Sequence, residues 1–173
     1  MEAVVWHSAS RQLVVADVPA PKPGAGEVLV APVAVGLCGT DSDIIRGMHP
    51  VTQEAVGRGE FDYLIPGHEW AGRVVALGPS VVGLGPGDRV VGEVGVPCNH
   101  CGPCRRGEKR SCQMVREVGI SRNGALAEYM VIPAANLHKI PDSVSWRKAA
   151  LTEPLSVAVH AVLKAIVETR ERN

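Results

Sequence analysis

Aromatic side chains are scarce in this sequence: one Phe, two Tyr and three Trp among 173 residues. A surface that stacks nucleic-acid bases needs interleaved rings beside an excess of positive charge. That excess is missing too, because eighteen Lys and Arg balance eighteen Asp and Glu. No overall field therefore selects nucleic acid or an anionic membrane surface. No apolar run approaches the roughly 20 residues that span a bilayer. The start, "MEAVVWHSAS", lacks the basic and apolar stretches of an export signal. These absences lead to the expectation of a cytoplasmic chain with neither membrane nor nucleic-acid partners. In a reducing compartment disulfides are not expected, and five cysteines are in any case an odd number.

What is abundant is Val, Ala, Gly and Pro, which suits short β-branched strands joined by tight turns. The length fits one domain with a substantial core. "AVVWH" and "QLVVADV" read as strands around a turn, followed by the stiff connector "PAPKPGAG". "EVLVAPVAVGL", residues 27–37, reads as a long apolar strand in which Pro32 marks an edge or a bulge. "GTDSDIIRG" reads as a short helix capped by Thr40 or Asp41 and stopped by Gly47. Residues 48–63 read as a loop. "WAGRVVALG", "GDRVVGEVG", "GALAEYMVIP" and "NLHKIP" read as further strands, and residues 142–168 as helical with a break at Pro154. The expected architecture is mostly β, antiparallel, with a few helices.

Four of the five cysteines crowd one lobe, residues 97–113. "CNHCGPCRRGEKRSC" places Cys98, Cys101, Cys104 and Cys112 in the spacing C-x2-C-x2-C-x7-C. Cysteines three apart in a turn can aim their sulfurs at one point, and a fourth reaching back completes a tetrahedron. Thiolate is the soft ligand that zinc takes in closed structural sites. Left without metal, three thiols in seven residues are an oxidation hazard with no packing benefit. Arg105, Arg106, Lys109 and Arg110 beside them can offset the negative charge of a four-thiolate zinc centre, or can simply form a solvated basic loop.

The remaining candidates are scattered. Cys38 ends a strand in "GLCGTD", His68 and Glu69 stand together in "PGHEW", and Glu153 opens a helical segment in "LTEPLSVAVHA". Alone, each reads as core or as a satisfied polar group. Together, a thiolate, an imidazole and two carboxylates on loops are the ligand types of an open catalytic zinc site.

The order of these stretches carries a resemblance. "PKPGAGEVLV", "GLCGTD", "PGHEWAGRVVALG", "GLGPGDRVVG", the four-cysteine lobe, "GALAEYMVIPAANLHKIPD" and "LTEPLSVAVHA" together resemble the catalytic domain of the zinc-dependent medium-chain dehydrogenases, the alcohol, polyol and glucose dehydrogenase superfamily. The resemblance implies a GroES-like barrel over residues 1–166 that carries two zinc ions, one structural and one catalytic, and a charged tail over 167–173. It implies that Cys38 and His68 bind the catalytic zinc, with Glu69 either a further ligand or a partner that orients His68. Glu153 matches the glutamate that polyol and sugar dehydrogenases place at the metal, directly or through water. Thr40 matches the hydroxyl residue that contacts the reacting oxygen. Asp43 stands where many alcohol dehydrogenases have a relay histidine, a substitution closer to glucose dehydrogenases. The implied reaction is hydride transfer from a zinc-bound alkoxide to NAD or NADP, on a small alcohol, polyol or sugar.

That reaction needs a dinucleotide site, which relatives supply with a Rossmann domain. The one glycine-rich candidate, "GLGPG" at residues 83–87, contains a proline and lies between strands with no helix after it, so it reads as a turn. The expectation is a catalytic domain without its nucleotide-binding domain, inactive alone, with exposed surface that favours self-association. The alternative is a non-enzymatic, isolated zinc-binding module.

Overall fold

A computed structural model describes residues 1–171. The strands are β1 (Glu2–His7), β2 (Leu13–Asp17), β3 (Glu27–Gly36), β4 (Tyr63–Leu64), β5 (Glu69–Leu77), β6 (Arg89–Gly92), β7 (Gly95–Val96), β8 (Arg116–Glu117), β9 (Met130–Pro133) and β10 (Leu137–Lys139). The helices are α1 (Gly39–Ile45), α2 (Pro50–Gly57), α3 (Gly102–Arg105), α4 (Trp146–Ala150) and α5 (Thr152–Glu171). The strands form antiparallel sheets in the orders β2-β1-β4, β10-β6-β5-β3-β9 and β7-β8. The mostly β, antiparallel architecture with a few helices expected from the sequence is the one found. No helix among the described residues is long and apolar enough to cross a membrane.

The five-stranded sheet holds the main core. Alternation along β3 turns Val28 and Val30 inward, where they meet Trp70, Val74, Val90, Met130 and Ile132 from the neighbouring strands. Trp70 is accommodated because Gly92 lies beneath its ring: a Cβ there would stand 2.4 Å from Trp70 Cζ2. A second core of Trp6, Ile44, Leu64 and Ile120 clamps α1 between β1, β4 and the loop after β8. Trp6 adds a hydrogen bond from its indole N–H to the carbonyl of Ile45, at 3.3 Å. This packing fixes α1, and with it the residue at its N-terminus.

Pro32 meets both expectations: a register shift between Pro32 and Ala34 forms a bulge, and because pairing with β9 ends at Val30 the strand is paired only with β5 there. Other local expectations are corrected. The cap of α1 is Cys38, not Thr40 or Asp41. Residues 48–63 contain a helix, α2, with Pro50 in its first turn, where a missing N–H costs nothing. "GALAEYMVIP" is strand only from Met130. The helical break falls at Leu151; Pro154 sits in the first turn of α5, which proline tolerates.

The start of α5 is held from behind. Arg89 donates to the carbonyls of Pro141, Asp142 and Val144 at 3.2, 2.7 and 2.6 Å, and its guanidinium lies 4.1 Å from the centroid of Trp146. Ala149 and Ala150 of α4 then pack on Ala71 and Val91. Gly92→Val is expected to destabilise the fold by about 1–3 kcal/mol through overpacking against Trp70. Gly85→Ala, where a Cβ meets nothing within 4 Å, should stay within about 0.5 kcal/mol. Denaturant melts of the two variants check the difference.

Candidate metal centres

The pairing of β3 with β5 brings the first cluster together. Gly36 at the end of β3 lies opposite Glu69 at the start of β5. A Cβ on residue 36 would stand 2.3 Å from Glu69 Oε2, so glycine here leaves room for the carboxylate. Two residues on, Cys38 caps α1. The loop bearing His68 is fastened separately: Ile65, Pro66 and Gly67 accept hydrogen bonds from the N–H groups of Gly124, Leu126 and Ala125 at 2.7, 3.0 and 2.9 Å. Gly67 has φ +96°, and Cβ atoms on Gly119 or Gly124 would meet its backbone at 2.7 and 2.3 Å. Only glycines permit this approach.

One ligand atom each from Cys38, His68 and Glu69 lies within 4.8 Å of the others. His68 and Glu69 are 5% and 9% exposed. Burying an imidazole and a carboxylate beside a half-buried thiol has no packing advantage, and the donor types are those of a zinc site. Thr40 places its Oγ1 3.7 Å from Cys38 Sγ. Asp43 is exposed on α1, one helical turn from Thr40. Glu153 does not belong to the close triad, but its half-buried carboxyl feels the charges of His68 and Glu69. Burial pushes its pKa up, with Glu69 adding to the rise and His68 opposing it.

The sequence reading took Asp41 only as a cap candidate and missed its larger part. It is 3% exposed and accepts from the N–H of Cys38 at 2.9 Å and from that of Gly67 at 3.2 Å. Its Oδ1 also lies 3.7 Å from His68 Nδ1, which has no hydrogen-bond partner among the described residues. One carboxylate thus ties together both segments that carry the cluster. A carboxylate on the far nitrogen orients a metal-binding imidazole. The available signal was an acidic residue three positions after Cys38, in a segment that must also meet the His68 loop.

The second cluster is the lobe. One sulfur from each of Cys98, Cys101, Cys104 and Cys112 lies within 4.8 Å of the others. The pairs Cys98–Cys104 and Cys101–Cys112 stand at 4.0 and 3.9 Å. Four thiolates around one zinc ion stand about 3.8 Å apart, so these sulfurs fit a single ion. Backbone N–H groups already face them: Cys98 N–H donates to Cys112 Sγ at 3.3 Å and Cys101 N–H to Cys98 Sγ at 3.4 Å. N–H groups of Cys104 and Gln113 hold the Cys101 thiol down to about 6, while burial pushes Cys104 up to about 12. Of the basic residues beside the lobe, Arg106 is paired with Glu108 at 2.8 Å.

Asp41→Asn should weaken zinc retention at the Cys38 cluster by about 10- to 100-fold, leaving the four-cysteine lobe unchanged. Metal analysis after graded chelator treatment checks this.

Comparison with known proteins identifies the family. Residues 24–142 match the alcohol dehydrogenase GroES-like domain. The L-threonine 3-dehydrogenase of Stenotrophomonas maltophilia (strain K279a) is 39% identical over 164 residues, covering 95% of this chain and 47% of that protein. Galactitol-1-phosphate dehydrogenase from Escherichia coli superposes with a TM-score of 0.78 at 30% identity, over 93% of this chain and 44% of that one. A protein assigned as a zinc-binding dehydrogenase from Sinorhizobium meliloti 1021, bound to NADP, superposes with a TM-score of 0.77 at 33% identity, over 93% and 44% of the two chains. The chain spans about half the length of these relatives. With its β architecture, its cysteine lobe and its Cys38–His68–Glu69 cluster, it belongs to the medium-chain dehydrogenases through their alcohol dehydrogenase GroES-like catalytic domain.

Proposed function

We propose that this chain is the metal-binding, alcohol-activating part of an NAD- or NADP-dependent dehydrogenase acting on a small secondary alcohol, polyol or sugar. The observation that carries the reading is the convergence of Cys38 with the adjacent pair His68 and Glu69, from two separate segments, within 4.8 Å. Relatives named for L-threonine and for galactitol 1-phosphate support a small, hydroxyl-bearing substrate.

In this reading Cys38, His68 and Glu69 hold a catalytic zinc ion, and Cys98, Cys101, Cys104 and Cys112 hold a structural one. A zinc ion bound to the first set supplies Lewis acidity, lowering the pKa of a hydroxyl held against it. Asp41 keeps the Cys38 and His68 segments in register and fixes the orientation of the imidazole. Thr40, beside Cys38, takes the hydroxyl proton at Oγ1 and passes it toward Asp43 and solvent along the exposed side of α1. Glu153 supplies negative charge behind Glu69, either as an alternative ligand or through water.

The dinucleotide is proposed to be held by residues outside this sequence, so these 173 residues alone should show little or no turnover. α5 supports a covered face in the working protein: Leu155, Val159, Val162 and Ile166 form an exposed apolar stripe along one side. In isolation that stripe favours self-association.

Purified chain is expected to carry two zinc ions, and Cys38→Ala to leave one. Two ions retained in that variant would overturn the ligand assignment. Titration with NAD and NADP should show no saturable binding to the isolated chain. Substantial NAD-dependent oxidation of a polyol by this chain alone would contradict the proposed division of labour.

A further inference from the structure

The scarce single-ring aromatics of this chain gather in one place, Phe61 and Tyr63 also packing against core clusters. The one Phe and both Tyr, Phe61, Tyr63 and Tyr129, all line a single cavity of about 650 Å³ between β4 and β9. None of Cys38, Thr40, His68, Glu69 or Glu153 lines it, nor does any cysteine of the lobe. A volume in this range is that of small-molecule sites.

The polar groups in the wall are mostly donors. Arg122 gives one guanidinium nitrogen to the carbonyl of Val131 at 3.0 Å and has no carboxylate partner among the described residues. Asn123 spends its carbonyl oxygen on the N–H of Ile65 at 3.0 Å, which leaves its amide N–H2 free to donate. Neither phenol hydroxyl has a partner among the described residues. Arg116 and Glu60, which also line the cavity, are paired with each other, and Glu60 is paired with Arg58 besides. Asp62 stands exposed without a basic partner among the described residues, and its repulsion limits how much negative charge an occupant can carry.

Half-buried, Arg122 is disfavoured as a cation by loss of water, with only distant help from Glu27. An anion delivered beside it would relieve that cost through charge-assisted hydrogen bonds. Three rings and unpaired donors in the wall of one cavity describe one ligand chemistry. We propose that this cavity is a second binding site, separate from the metal centre, for a small planar monoanion: an aromatic or heteroaromatic carboxylate whose ring packs among Phe61, Tyr63 and Tyr129 and whose carboxylate meets Arg122 and Asn123.

The test uses the whole chain with benzoate as the probe and benzamide as its uncharged counterpart, both followed by calorimetry. Benzoate is expected to bind saturably and benzamide about tenfold more weakly or worse, the difference a charge-assisted hydrogen bond makes. Arg122→Gln should reduce benzoate affinity by about the same factor while keeping its zinc content. Tyr129→Ala should weaken both probes, and serves where the arginine variant does not fold. Cys38→Ala should leave benzoate binding unchanged, because a carboxylate can also seek the metal centre. Equal binding of the two probes, loss of benzoate binding in Cys38→Ala, or full retention in both cavity variants would overturn the assignment.

Discussion

The buried carboxylate of Asp41 is the constraint on which the metal cluster depends. A carboxylate this deeply buried costs several kcal/mol unless its oxygens are satisfied. Here they are satisfied by N–H groups from two different segments, at Cys38 and at Gly67, with the ring of His68 close by. Removing any of these partners leaves charge without compensation, so the arrangement resists separation of the α1 terminus from the His68 loop. The preference for negative charge at a helix start acts in the same direction, since Asp41 lies in the first turn of α1.

Around that carboxylate the fold is built for close approach. Gly36 leaves space for Glu69 across the β3–β5 ladder, and Gly67, Gly119 and Gly124 let two loops touch backbone to backbone. The apolar cores then act at a distance. Ile44 and Trp6 hold α1, while Trp146 and Arg89 hold the chain that delivers Glu153. Stability and site geometry are therefore the same packing seen from two sides: large side chains fix the elements, and glycines decide how near the functional groups come.

Legibility in the sequence followed the range of each interaction. The lobe was readable from C-x2-C-x2-C-x7-C because all its ligands lie within fifteen consecutive residues, where chain geometry alone limits where the sulfurs can go. Cys38, His68 and Glu69 could be named as ligand types, but their convergence rested on family resemblance, since the 29 residues between Cys38 and His68 say nothing about it. Asp41 escaped because a short-range cap and a long-range tie look identical in one dimension. Helix α2 escaped for a different reason: its short, weakly amphipathic stretch hides a helix whose real signals were Pro50 at the start and Gly59 just past the end. The cavity lined by Phe61, Tyr63 and Tyr129 had no sequence signature at all, because its walls come from segments joined only by the fold.

Anomalous diffraction at the zinc edge, from crystals of the purified chain, tests the central claim most directly. Two peaks are expected, one enclosed by the four lobe sulfurs and one bonded to Cys38 Sγ and His68, with Glu69 beside it. A single peak confined to the lobe, with Cys38 and His68 turned apart, would contradict the account.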